Sequence, residues 1–368
     1  MLVSSDLKDI SRKVENREIL TEEEIVYLYD YADLPSVGKL ARSISDRISG
    51  NRVSFVSNII LNYTNICNVR CSFCAFYRTG SEPDAYLMTK EQVIEEIRPY
   101  YENYGVRQLL IQGGVNPSLD LDYFTSLFRE IRKVYPNLGI NGLSTSEIAF
   151  FARKARMSIE DILDVLRESG LETIPGAGAE IFDPIVRRKI GRPLNSQLEW
   201  LNVMETAHRM GIRTSATMMY GHLENSLDRA RHLLAILNLQ KKYHGFLSFT
   251  PWNFEPGNTK LEKDGLVKYR VGGEEVLRNV AVSRIVLGYD LPLIQSSWLT
   301  GGVVLGQLAV SFGANDWGGT IYDERVIPAT GNKVGNLRKE TIIQAIKQIG
   351  MIPVERDNLY NTVKVYDQ

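Results

Sequence analysis

Cys67, Cys71 and Cys74 are the only cysteines in a chain of 368 residues. Thiolates hold zinc and iron–sulfur clusters. A disulfide framework would instead spread an even number of cysteines along the sequence. Three thiolates on a cubane leave one iron without a protein ligand, and an open coordination position is what a catalytic metal site has and a structural one lacks. A structural zinc site needs a fourth ligand. The four histidines, His208, His222, His232 and His244, lie far off in sequence, although one of them could fold back. The bland alternative is three inert cysteines in a loop.

The elements that must position this loop read as an alternation of short apolar runs and longer amphipathic stretches. The runs are residues 56–61, 108–111, 138–141, 172–174, 213–219, 245–250, 291–295 and 309–314. Helical spacing covers 91–104, 122–135, 158–169, 196–210, 226–242, 274–287 and 302–308. Thr89 and Ser158 begin sequences that resemble capping boxes. Strands alternating with helices predict a parallel sheet, and eight such units close most naturally into a (β/α)8 TIM-type barrel of the α/β class. The runs at 291–295 and 309–314 are the weakest, so a partial barrel of about six units is the alternative. Residues 1–50 read as helices packed outside a barrel core of 51–319, and 320–368 as a C-terminal extension with a helix at 341–349 and a short strand at 362–366.

The cysteine loop follows the first run, at the end where a parallel barrel carries its chemistry. Other candidate groups stand at equivalent strand ends. Gly113-Gly114 follows the second run, where missing side chains let backbone approach a ligand; an ordinary turn is the alternative. Ser144-Thr-Ser146-Glu147 reads first as a helix start, with Ser146 a secondary candidate for binding. Glu180 can accept hydrogen bonds from ribose hydroxyls or lie solvated at the surface. His222 can transfer protons or cap a helix; Glu224 and Asp316 are further candidate bases. Met218 and Met219 read as packing residues. The segment 250–259, rich in aromatics and prolines, suits a ring-bearing substrate, with a structural loop as the alternative.

Composition bounds the partners. The formal net charge is -1, so nothing favours nucleic acid or an anionic membrane. No stretch is long and apolar enough to span a bilayer, and the first residues lack the apolar block of a signal peptide. A cytoplasmic location is expected.

C-x3-C-x2-C with Phe73 before the last cysteine resembles the signature of the radical S-adenosylmethionine (SAM) superfamily. The resemblance implies a [4Fe–4S] cluster on Cys67, Cys71 and Cys74, with SAM chelated to the open iron and cleaved to a 5′-deoxyadenosyl radical. It further implies SAM contacts from Phe73, Tyr77, Gly113, Gly114, Ser146 and Glu180. Val115 stands where that superfamily's "GGE" motif has its acidic residue, which puts the amino-group contact on backbone carbonyls. Asn-Tyr-Thr-Asn-Ile-Cys67, Ile111-Gln-Gly-Gly, Ala216-Thr-Met-Met-Tyr-Gly-His222 and Gly313-Ala-Asn-Asp316 resemble the subfamily of menaquinone and deazaflavin (F420) biosynthesis. Within it, Pro251-Trp-Asn-Phe-Glu-Pro-Gly-Asn-Thr259 most resembles the cyclic dehypoxanthine futalosine synthases. Asn141-Gly142, where relatives often carry His-Ala, departs from the pattern, as does Ala177 in Gly176-Ala-Gly178. The resemblance implies a radical cyclisation of a futalosine-type nucleoside, with His222, Glu224 or Asp316 as the base. Aminofutalosine synthesis and the tyrosine-dependent deazaflavin step are the alternatives, and a non-catalytic metal-binding scaffold is the alternative of another class. An electron donor such as flavodoxin or ferredoxin is expected.

Overall fold

The computed structural model describes residues 6–191, 196–333 and 335–367. Three helices come first: α1 (Leu7–Glu15), α2 (Glu22–Asp30) and α3 (Leu34–Ser49). Each is capped by an oxygen side chain, Asp6, Thr21 and Asp33 respectively, which satisfies amide groups that have no partner within the helix. The first predicted run, 56–61, corresponds to β2 (Asn58–Leu61); β1 (Arg52–Val56) precedes it across Ser57 and overlaps the run only at Val56.

The barrel units follow. They are α4 (Lys90–Tyr104), β3 (Gln108–Ile111), α5 (Leu121–Val134), β4 (Gly139–Gly142), α6 (Thr145–Ala155), α7 (Ile159–Glu168), β5 (Leu171–Ile174), α8 (Pro184–Ile190), α9 (Gln197–Arg209), β6 (Arg213–Tyr220), α10 (Ser226–Tyr243) and β7 (Phe246–Asn253). Strands β2 to β7 form a six-stranded sheet in sequence order, parallel throughout. Alternate residues of the strands face the helices. Leu109, Ile111 and Ile140 are thus fully buried in the same core as Phe124, Phe128 and Ile131 of α5, each side chain contributing about 1.5–3 kcal/mol.

The remaining elements are α11 (Lys260–Lys263), α12 (Gly273–Leu287), α13 (Trp298–Gly301), α14 (Val303–Ser311), β8 (Asp316–Gly319), α15 (Lys339–Gln348), β9 (Ile352–Arg356) and β10 (Thr362–Val365). They make a second sheet in the order β10-β9-β1-β8, in which only β10 is antiparallel. The ring closes through β1 and β2 on one side. On the other side it closes through single bridges, Phe249 to Ile294 and Gln295 to Asp316. The seventh predicted strand is therefore only a bridge-forming segment. The eighth, at 309–314, is corrected: it is the end of α14, and the strand begins at Asp316. A short apolar run has the same appearance in a buried helix as in a strand, and α14 is apolar on nearly every side.

The C-terminal residues belong to this architecture. β9 lies in register along β1, from Arg52–Ile352 to Val56–Arg356. The turn after it, 357–361, plugs the amino-terminal end of the barrel. Asn358 accepts from Gln108 Nε2 at 2.8 Å and Thr173 Oγ1 at 3.1 Å, and donates to Glu172 Oε2 at 2.8 Å. Gly139 makes room for it, since a Cβ there would stand 2.3 Å from the Asn358 Cβ.

Candidate functional site

The cysteine loop leaves the carboxyl end of β2 and is pinned by polar contacts. Asn65 Nδ2 donates to the Asp84 carbonyl at 2.8 Å and its Oδ1 accepts from the Tyr86 N–H at 2.8 Å. Arg78 grips the Asp84 carboxylate and donates to the carbonyls of Ala75, Phe76 and Tyr77. The Cys67 N–H donates to the Arg78 carbonyl at 2.9 Å, closing the loop. Ser72 is held from two sides: its N–H donates to the Ile190 carbonyl of α8 at 2.7 Å, and its carbonyl accepts from the Leu261 N–H of α11 at 3.1 Å.

Cys67, Cys71 and Cys74 line one cavity of about 170 Å³ with Tyr77, Gly113, Gly114, Ser146 and Glu180. Phe73 lines an adjoining cavity of about 320 Å³ that shares Cys71, Ser146 and Glu180. The structure thus brings together every residue named from sequence for cluster and SAM binding. The glycine pair has a second reason to exist. A Cβ on Gly114 would stand 2.3 Å from the Ile66 carbonyl oxygen, and one on Gly113 would be 3.0 Å from that of Thr64. This close approach lets the Val115 N–H donate to Cys67 Sγ at 3.3 Å.

Burial pushes the Cys71 thiol well above its ordinary pKa, reinforced by Cys74 and Cys67, and takes Cys74 to about 11. A coordinated metal reverses that preference, because a ligating thiol is deprotonated. Glu180 sits at φ 46° and accepts from the Gly178 N–H at 3.2 Å. Burial raises its pKa while Arg187 opposes the shift. Sequence reading missed Arg187, which donates to the carbonyls of Gly178, Ala179 and Ile181 and so clamps the loop carrying Glu180. The available signal was Asp183-Pro184, a cap followed by proline at the first helical position. Glu147 is also more than a helix start. It is fully buried, accepts from Tyr63 Oη at 2.5 Å and the Gly113 N–H at 3.2 Å, and caps α6 through Ser144.

The three base candidates are placed elsewhere. The side chains of His222 and Glu224 are wholly buried. Glu224 accepts from the Gly221 and His222 N–H groups and pairs with Arg229 at 2.7 Å. His222 Nδ1 lies 2.7 Å from the Leu223 nitrogen and 3.1 Å from Glu224 Oε2, and its Nε2 lies 3.1 Å from the Met219 carbonyl oxygen; burial lowers its pKa while Glu224 opposes the shift. Asp316 pairs with Arg356 through both oxygens, at 2.6 and 3.0 Å. None of the three lines the cysteine cavity.

The donor set fits an iron–sulfur cluster. Three unpaired thiols share one cavity wall. Among the described residues no group of three His, Cys, Asp or Glu side chains could hold a single metal ion. No histidine lines the cavity: His208 and His232 are buried against Thr214 and the Thr217 carbonyl, and His244 terminates α10.

Residues 61–236 match the radical SAM superfamily, and residues 243–368 match the CofH/MqnC C-terminal region. The chain belongs to the radical SAM superfamily. Its members use a [4Fe–4S] cluster and SAM. Aminodeoxyfutalosine synthase of Thermus thermophilus is 35% identical over 98% of this chain and 96% of its own. Cyclic dehypoxanthine futalosine synthase of Halalkalibacterium halodurans is 33% identical, covering 97% and 95%. The 5-amino-6-(D-ribitylamino)uracil–L-tyrosine 4-hydroxyphenyl transferase of Methanothermobacter thermautotrophicus is 34% identical, covering 99% and 100%. Among solved structures, methylornithine synthase superposes with a TM-score of 0.73 at 20% identity, covering 94% of this chain and 97% of that one. The radical SAM barrel is therefore the fold. Among the described residues no helix is long and apolar enough to cross a membrane.

Proposed function

We propose that this radical SAM enzyme cyclises dehypoxanthine futalosine to cyclic dehypoxanthine futalosine in menaquinone biosynthesis. One observation carries the choice. The segment Pro251–Thr259, which most resembles that branch, ends β7 on the same side of the barrel as the cysteine loop, with Trp252 lining a cavity of about 160 Å³. Overall identity does not choose, since the three relatives named above differ by only two percentage points.

In this reading Cys67, Cys71 and Cys74 hold the cluster. Gly113, Gly114, Ser146, Tyr77 and Glu180 bind SAM, with Glu180 on the ribose hydroxyls, and Phe73 packs beside them. When bound, the cluster and SAM supply a hydrogen-abstracting adenosyl radical. Hydrogen leaves C4′ of the substrate ribose for the adenosyl carbon, giving 5′-deoxyadenosine, the sugar carbon bonds to the benzoate ring, and aromaticity returns with loss of one electron, which the oxidised cluster would take back, and one proton, released to solvent. The chain's part is to orient the ring against the sugar and exclude water. Glu224 and Asp316, already engaged by arginines, serve as structural anions rather than as bases. A cytoplasmic setting with a flavodoxin or ferredoxin as electron donor completes the proposal.

The test is reduced, reconstituted enzyme with SAM and each candidate substrate. Cyclic product with stoichiometric 5′-deoxyadenosine is expected from dehypoxanthine futalosine. Aminodeoxyfutalosine formation without that product would move the chain to the sister activity. Coupling of tyrosine to 5-amino-6-(D-ribitylamino)uracil would move it to the deazaflavin branch. Bound zinc with no SAM cleavage would support the scaffold reading.

A further inference from the structure

Two carboxamide oxygens in the barrel are buried without a partner. Gln112 Oε1 and Asn141 Oδ1 are inaccessible to solvent and unbonded, and no hydrogen bond joins either side chain to another group among the described residues. Leaving a buried polar group unmade costs about 1–3 kcal/mol, so two on one face of neighbouring strands mark a place where something else supplies the bonds.

Their position follows from strand alternation. A Cβ on Gly142 would meet Ile111, Leu171 and Phe128 of α5, so position 142 faces the helices and position 141 faces the lumen. Asn141 is paired in register with Leu110, and residues in register share a face. Gln112 lies one step beyond Leu110 on that face and lines the cavity with the three cysteines. Below them the lumen is sealed by Asn358, which Gln108 and Thr173 hold. Asn141 retains only 8% of its surface. The pair therefore forms the inner wall between the plug and the cysteine cavity.

We infer that Gln112 and Asn141 bind an uncharged, hydroxyl-bearing part of the substrate, which, resting on the function proposed above, is the sugar of the nucleoside. A carboxamide offers a donor and an acceptor together, and a hydroxyl answers both. A carboxylate answers only the donor; the cation at the closed end, Arg356, spends Nε and Nη2 on Asp316 and keeps only Nη1 unbonded.

The experiment uses reconstituted holoenzyme with Asn141→Ala and Gln112→Ala, assayed on dehypoxanthine futalosine and on its 2′-deoxy and 3′-deoxy analogues. Each variant should raise KM about tenfold, with kcat, KM for SAM and iron content at wild-type values. On the deoxy analogue that lacks the contacted hydroxyl, the wild type should show the same rise and the variant no further rise. Wild-type KM in both variants would overturn the inference, as would full multiplication of variant and deoxy effects on both analogues. If Asn141→Ala does not fold, Gln112→Ala, at the cavity wall, carries the same comparison. Should the wild type give no cyclic product, the function proposed above fails while this inference still stands to be tested. Dissociation constants of both variants for 5-amino-6-(D-ribitylamino)uracil, whose ribityl chain is a polyol, then decide it, and unchanged affinity there refutes it.

Discussion

Asp316→Asn separates a base from a structural anion. Each Asp316 oxygen takes two donors: Oδ2 accepts from Arg356 Nε and Ser54 Oγ, and Oδ1 accepts from Arg356 Nη2 and the Gly318 N–H. Asparagine must put an NH2 group in one of those places, facing two donors, and it leaves Arg356 a buried cation without a counter-charge. Breaking a buried pair from one side costs about 3–5 kcal/mol, a large share of the roughly 5–15 kcal/mol that holds a protein folded. The melting temperature should fall by about 4–6 °C. Turnover at 25 °C, measured as product per folded enzyme, should stay near wild type. The double change Asp316→Leu with Arg356→Met removes both charges and should recover most of the loss. Calorimetry and product analysis on the three proteins make the test. An Asp316→Asn enzyme with wild-type melting and abolished product formation would refute the structural assignment and restore the base.

Gly114→Ala should cut iron per chain after anaerobic reconstitution while leaving the helical circular dichroism unchanged, because its Cβ would meet backbone at Ile66 and a clash in a packed region costs about 1–3 kcal/mol. Gly272→Ala, with nothing within 4 Å of the added carbon, is the control, and equal iron in both would count against the close-approach argument. Glu180→Gln should weaken SAM binding by roughly ten- to a hundredfold, the scale of a hydrogen bond to a charged group, read by equilibrium binding to the reconstituted enzyme; unchanged affinity would remove Glu180 from the SAM site. Burial lowers His208 to about 4 and His232 to about 3. The unfolded chain takes up protons below about pH 6.5 that the native state refuses, so stability is present above that pH and falls towards pH 4 by about 1.4 kcal/mol per pH unit per histidine. Urea midpoints at pH 7, 6 and 5 check it, and a flat profile would contradict the burial of both rings.

The first six strands were legible because each is a short apolar run between helices with clear caps. Thr89 and Ser158 do form capping boxes, with Gln92 and Asp161. Legibility failed where long-range pairing decides. Residues 352–356 carry Pro353, Glu355 and Arg356 in a strand that exists only because β1 offers it an edge, and local pattern does not encode a partner nearly three hundred residues away. The same reason hid the surroundings of the base candidates. His222 and Glu224 follow the carboxyl end of β6, as a catalytic group would, whereas Asp316 opens β8, and the engagement of the three depends on Met219, Arg229 and Arg356, which sequence spacing does not connect to them. That the cysteines, glycines and Glu180 meet at one cavity was readable because their constraint is local: each sits in the loop that follows its own strand.

That contrast bears on how the barrel is used. Its amino-terminal end is closed by Asn358 and by the stack of Arg356 on Tyr360, whose centroid lies 3.6 Å from the guanidinium carbon. One buried ion pair, Asp316 and Arg356, lies at that closed end. The opposite end carries the thiols, held by backbone bonds from α8, α11 and Val115. Between the two lies a wall of neutral groups, including the unbonded amides of Gln112 and Asn141. A radical on a sugar carbon needs orientation and shelter more than a charged catalyst. A lumen in which Asp316 and Arg356 pair at the closed end, with the neutral amides of Gln112 and Asn141 on its wall, suits the sugar radical of the proposed reaction.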